Sequence, residues 1–142
     1  MQIKSIHPVK KSKETLLPFY LESIKAGFPS PADDFIDKKL DLNEYLVKHP
    51  VATFFVRVSG DSMINAGIHT GDILVVDKAL DAKDKNIVVA VINGELTVKR
   101  LRMKDGKVAL MPENSNYKPI IITSEDNFSI WGVVTNVIHN LI

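Results

Sequence analysis

Apolar residues in this chain come in short runs that are separated by glycine, asparagine and aspartate, and from residue 52 onward that pattern predicts β structure. Thr53 to Val58 is β-branched and aromatic, and Ile73 to Val76 is a short buried-type run between Gly71-Asp72 and Asp77. Ile87 to Ile92 runs into Asn93-Gly94, and Glu95 to Met103 follows. Asn-Gly between two such runs is the strongest short hairpin signal, because both residues accept the positive φ of a type I′ turn. Asp105-Gly106 predicts the next turn and Val108 to Met111 the next strand, with Ile120 to Thr123 and Phe128 to Ile138 completing the set. Hairpins at such short spacing imply a mainly antiparallel, strongly bent sheet or partly open barrel.

The first part of the chain reads differently. Four of the seven prolines fall there: Pro8, Pro18, Pro29 and Pro31. Pro18 interrupts the one apolar cluster suited to a long helix. Residues 1 to about 32 are read as an extended N-terminal arm with one helical turn or a strand, and 33–142 as the folded domain. Asp33 and Asp34 are cap residues ahead of Phe35, Ile36 and Leu40, and Asp41-Leu42-Asn43-Glu44 has capping-box spacing. A helical stretch is therefore expected before His49-Pro50, which ends it.

Composition adds exclusions. A chain of 142 residues with 45% hydrophobic and 25% charged residues can bury a core without metal or disulfide. It has no cysteine, so it has no disulfide framework and no thiolate zinc site, which fits a reducing, cytoplasmic setting. His7, His49, His69 and His139 show no short metal-ligand spacing, and no metal or cofactor is expected. The net charge of +1 gives no reason to expect strong binding to nucleic-acid backbone. No apolar run is long enough to span a membrane, and Lys10, Lys11 and Lys13 break up any signal-peptide-like start.

The candidate chemistry lies in Gly60-Asp61-Ser62-Met63 and in Lys99. Gly-Asp-Ser is common in turns and caps. Ser62, however, directly follows a predicted strand, and Gly-x-Ser-x-Gly is absent, so a nucleophile elbow is not indicated. On the strand that follows Asn93-Gly94, alternation places Thr97, Lys99, Leu101 and Met103 on one face and Val98, Arg100 and Arg102 on the other. The face with two arginines reads as the wet one, which leaves Lys99 covered. Burial lowers a lysine pKa, and a neutral lysine is a competent base for a serine hydroxyl. Thr97 is placed to hydrogen-bond that amine. His69 is the alternative base in the same region, without an identifiable orienting partner. Upstream, Ala26-Gly27 is a small-small dipeptide of the kind a narrow hydrolase cleft accepts. It lies about 35 residues before Ser62, well within the reach of an extended segment.

These pieces, in this order, resemble the LexA/UmuD family of self-cleaving serine peptidases, most closely its UmuD branch. They are Ala26-Gly27-Phe28-Pro29-Ser30-Pro31, Val58-Ser59-Gly60-Asp61-Ser62-Met63, Gly71-Asp72-Ile73-Leu74, Thr97-Val98-Lys99-Arg100-Leu101, Pro112-Glu113-Asn114-Ser115, Ser124-Glu125-Asp126 and Gly132-Val133-Val134. The resemblance implies a LexA-like peptidase fold, Ser62 as nucleophile and Lys99 as general base. It also implies backbone N–H groups of Asp61 and Ser62 as the oxyanion hole and Ala26-Gly27 as the scissile bond. As partners it implies a homodimer, a RecA filament on single-stranded DNA that stimulates cutting, and a Y-family polymerase catalytic subunit of the UmuC kind. The implied role is error-prone synthesis past DNA damage. A helix-turn-helix domain of the repressor type does not fit into about 26 residues. The other readings are a non-catalytic interaction subunit with Ser62 and Lys99 idle, a signal-peptidase-like processing enzyme, and a DNA-binding protein.

Overall fold

The computed structural model describes residues 1–10, 14, 17–20 and 36–142. It has two compact units, Met1–Val9 together with His49–Ile142, and Lys10–Lys48. The first holds strands β1 (Gln2–Pro8), β4 (Thr53–Ser59), β5 (Ile73–Asp77), β6 (Ile87–Ile92), β7 (Glu95–Lys104), β8 (Lys107–Met111), β9 (Ile120–Ile121) and β10 (Phe128–Ile138). The second holds β2 (Leu17–Tyr20), β3 (Ile36–Leu40) and the short helix α1 (Leu42–Leu46).

The eight strands of the first unit form an antiparallel sheet in the order β1-β4-β5-β10-β6-β7-β8-β9. The hairpin β6–β7 closes through Asn93 (φ 49°) and Gly94 (φ 84°), and Asp105 (φ 52°) with Gly106 (φ 73°) closes β7–β8 in the same way. Positive φ at both central residues is the type I′ geometry, whose twist matches that of the flanking strands. The sheet curls into a half-barrel. Its first strand, β1, therefore comes back against β7, five places along the order, where the Thr97 hydroxyl donates to the Met1 carbonyl at 3.4 Å.

Neighbouring residues in a strand point to opposite faces, and here both faces are covered. Val56, Val58, Met63, Ile68, Leu74, Val76, Val89 and Val98 form one core cluster. Val88, Ala90, Leu101, Leu110 and Val133 form another. This corrects the expectation for β7: Val98, placed on the wet face, is fully buried, and Met103, placed on the covered one, is 41% exposed. Lys99 is buried, as expected from its parity. The curled sheet buries both faces in the middle of β7 and releases both at its far end.

The expected helix over Phe35 to Leu46 is correct only in its last part. Asp41 caps α1, its carboxylate accepting from Asn43 N–H at 2.9 Å. Ile36–Leu40 is a strand instead, antiparallel to Leu17–Tyr20, with Pro18 opposite Lys39. Pairing satisfies the backbone of both segments at once, which a single helical turn does not do. The expected strand over Ile120 to Thr123 is shorter, Ile120–Ile121.

Gly132 sets the spacing between β10 and β5. A Cβ there would lie 2.6 Å from Val76 Cγ1 and 3.4 Å from the Asp77 carbonyl oxygen. Val76 is fully buried and has no room to yield. Gly132→Ala is therefore expected to destabilise the fold by about 1–3 kcal/mol, the usual range for overpacking, measured as a lower urea midpoint.

Candidate active site

Where β4 ends, the chain turns sharply through Gly60, at φ 99°, a left-handed conformation that side chains disfavour. The loop that follows is fastened from two directions. On one side, the Gly60 N–H donates to Thr70 Oγ1 at 2.8 Å, and the Thr70 hydroxyl lies 3.0 Å from the Gly60 carbonyl it donates to. On the other, Asn114 Nδ2 donates to the Asp61 carbonyl at 2.9 Å, Glu113 N–H to the Ser62 carbonyl at 2.8 Å, and Asn65 N–H to the Glu113 carbonyl at 2.9 Å. The Tyr117 hydroxyl donates to the Asp61 carboxylate at 2.5 Å, and Arg100 Nε pairs with the Glu113 carboxylate. Met63 is fully buried in the first core cluster.

Each peptide unit is planar, so a carbonyl held in place also aims the N–H on the far side of its peptide bond. Thr70 holds the Gly60 carbonyl and thereby orients the Asp61 N–H. Asn114 holds the Asp61 carbonyl and thereby orients the Ser62 N–H. The motif Pro112-Glu113-Asn114-Ser115 was visible in the sequence, but its hold on the serine loop was not. Proline, asparagine and serine so close together read only as a turn.

Lys99 enters from the middle of β7. Its Nζ lies 3.1 Å from Ser62 Oγ, 3.2 Å from Thr97 Oγ1 and 3.1 Å from the Val98 carbonyl oxygen. Ser62 is 1% exposed and Lys99 6%. Burial pushes the Lys99 amine below its ordinary range, against a smaller opposing effect of the hydrogen bond with the Met1 amine. A neutral amine has two N–H groups and one lone pair. With the N–H groups directed to Thr97 Oγ1 and the Val98 carbonyl, the lone pair faces the Ser62 hydroxyl. That is the arrangement a base needs. His69, the alternative base, makes its contacts with Asp72 and His139 instead.

A third group shares the site. The Met1 amine donates to Ser62 Oγ at 2.8 Å. Burial chiefly, and then the Lys99 amine beside it, lowers its pKa to about 5, against the pull of Asp61. Beside this contact a cleft of about 600 Å³ runs between Gln2–Ile6 of β1 and Glu95 and Leu96 of β7. Ala26 and Gly27 lie outside the described residues.

A buried serine hydroxyl facing a buried lysine amine, on a curled antiparallel sheet, has the make-up of a serine-peptidase site rather than of a nucleic-acid reader or a metal enzyme. Comparison with known proteins gives the family. Residues 18–135 match the Peptidase S24-like family. The chain is similar to protein MucA of Salmonella typhimurium, 52% identical over 128 residues that cover 89% of this chain and 84% of MucA. It is also similar to protein SamA of the same species, 46% identical over 134 residues (94% and 93%). Protein ImpA of Escherichia coli is 47% identical over 122 residues (86% and 83%). The chain belongs to the Peptidase S24-like family of serine peptidases, among its UmuD-like members. Among the described residues no helix is long and apolar enough to cross a membrane.

Proposed function

We propose that this protein is a self-cleaving switch of SOS mutagenesis. Ser62 attacks the Ala26-Gly27 peptide carbonyl while Lys99 takes its hydroxyl proton. The Asp61 and Ser62 N–H groups receive the negative charge that develops on the carbonyl oxygen, and Thr97 steadies the lysine. The protonated lysine then hands its proton to the leaving amine of Gly27, water hydrolyses the acyl-serine, and the dyad returns to its starting state. The observation that carries this reading is the 3.1 Å approach of Lys99 Nζ to Ser62 Oγ, with both groups out of water.

The Met1 amine lies against Ser62 Oγ, the atom that in this reading must meet the scissile carbonyl. Cutting therefore requires the start of β1 to move off that atom, which makes the uncut state slow to react on its own. A RecA filament on single-stranded DNA speeds cutting by favouring the conformation in which the cleavage segment has replaced it. In this reading residues 1–32 are the arm that carries the cut, its first strand β1 paired with β4, and 33–142 are the peptidase domain. The protein works in the cytoplasm as a homodimer, and the trimmed form joins a Y-family polymerase catalytic subunit of the UmuC kind in synthesis past DNA damage. The test is an intact-mass time course at mildly alkaline pH with and without the filament. Products ending at Ala26 and starting at Gly27, formed faster with the filament, support the reading. An uncut chain under both conditions sinks it and leaves the non-catalytic interaction subunit, with Ser62 and Lys99 idle.

Asn114 gives a further check. Asn114→Ala frees the Asp61 carbonyl and with it the aim of the Ser62 N–H. The cutting rate is expected to fall about tenfold, less than the loss of an oxyanion donor itself, while the melting temperature changes little at this half-exposed site. An unchanged rate would remove Asn114 from the positioning machinery.

A further inference from the structure

His69, Asp72 and His139 are scattered in the sequence and meet in the fold. Asp72 stands just ahead of β5 and His139 just after β10, and those strands pair with Ile73 opposite Ile138. That register sets His139 over Asp72. The Asp72 carboxylate is buried, its side chain 2% exposed, with Oδ1 2.5 Å from His139 Nδ1. Its Oδ2 accepts from the His69 N–H at 2.7 Å and lies 3.7 Å from His69 Nδ1. The two imidazole rings lie side by side, centroids 4.9 Å apart. Their side chains are 45% and 44% exposed. One ligand atom from each of the three residues lies within 4.8 Å of the others.

We propose that His69, Asp72 and His139 form a binding site for a divalent transition ion of the zinc class, made of residues other than the Ser62–Lys99 pair. Two imidazoles and one carboxylate are the donor set that such ions take, at about 2.0–2.2 Å from each ligand atom. The buried carboxylate supplies a fixed negative charge, already oriented by the His69 backbone. The two half-exposed rings close on the ion by rotating, with no repacking of the core. The ion replaces the hydrogen bond between His139 and Asp72, and its remaining positions face solvent. No oxidation or reduction is involved.

The site has a route to the serine loop. Thr70, between the first two ligands, holds the Gly60 peptide two residues before Ser62. A bound ion thus fastens the chain after β10 to the turn that sets the Ser62 loop.

The test is a Zn²⁺ titration of the full chain by calorimetry in a non-chelating buffer at neutral pH, paired with thermal melts. One Zn²⁺ per chain is expected. His69→Ala and His139→Ala are each expected to weaken binding by at least about tenfold, and the double variant to lose it, whereas His7→Ala binds like the parent. Zn²⁺ should raise the melting temperature of the parent and not of the double variant. Asp72 also holds the His69 backbone, so the histidine variants, which only trim half-exposed rings, carry the test. An absence of binding to the parent, or binding that survives in the double variant, overturns the proposal.

Discussion

Ser62→Ala leaves a folded protein that no longer cuts itself. The hydroxyl is the only part removed, and the space it leaves is smaller than a methyl group, so urea and thermal midpoints should stay near those of the parent. The cutting rate should fall by a factor on the order of 10⁶, the scale of loss when a serine hydrolase is deprived of its nucleophile. Lys99→Ala is expected to slow cutting by about 10²–10⁴, the contribution of a positioned base, with the Met1 amine that also contacts Ser62 Oγ left as the remaining neutral amine beside it. The double variant should be no slower than the worse single one, because the two residues act as a unit. Intact mass spectrometry of long incubations, with circular dichroism to show the fold, decides the matter. Continued cutting at Ala26-Gly27 in Ser62→Ala would exclude Ser62 as nucleophile.

The second large effect is on pH. In the proposed mechanism Lys99 accepts a proton from Ser62 only when neutral, and burial lowers its pKa from the ordinary lysine value. The rate should therefore climb about tenfold per pH unit below that lowered pKa and level off above it. The Met1 amine, with a pKa of about 5, is neutral at neutral and alkaline pH and does not shape the profile there. Stability moves in the same direction. A lysine whose pKa is lower folded than unfolded binds its proton more readily in the unfolded chain. Below the folded pKa it therefore opposes folding, and this opposition fades as pH rises through the window up to the unfolded value, about 10.4. Lys99→Ala should flatten that part of the stability profile relative to the parent. A rate that does not depend on pH would remove Lys99 from the role of base.

Much of this was legible because local rules and the tertiary fold agreed. The β-branched run before Asn93-Gly94 and the alternating run after it make a hairpin in any context, since the turn fixes the register and the register fixes the faces. Lys99 fell on the face expected to be covered, although the middle of β7 is buried on both faces. The failures have a common cause. Ile36–Leu40 has the residues of a helix start and becomes a strand because Leu17–Tyr20 pairs with it. Val98 belongs by alternation to a wet face and is buried because the sheet curls over it. In both cases the deciding partner is distant in the chain, and no local pattern reports it.

The sequence by itself determined the β class and the turns, because these depend on backbone geometry within a few neighbours, and it singled out Ser62 and Lys99 as the candidate chemical pair through side-chain type and motif order. Only the tertiary structure decided what surrounds them. It brought Lys99 Nζ within 3.1 Å of Ser62 Oγ across 37 residues, set Met1 on the same hydroxyl, clamped the serine loop through Asn114 and Glu113, and gathered His69, Asp72 and His139. The physical reasons are the curl of the sheet, which makes strands far apart in the hydrogen-bonded order, such as β1 and β7, neighbours, and the β5–β10 register, which sets His139 over Asp72; both are properties of the whole sheet.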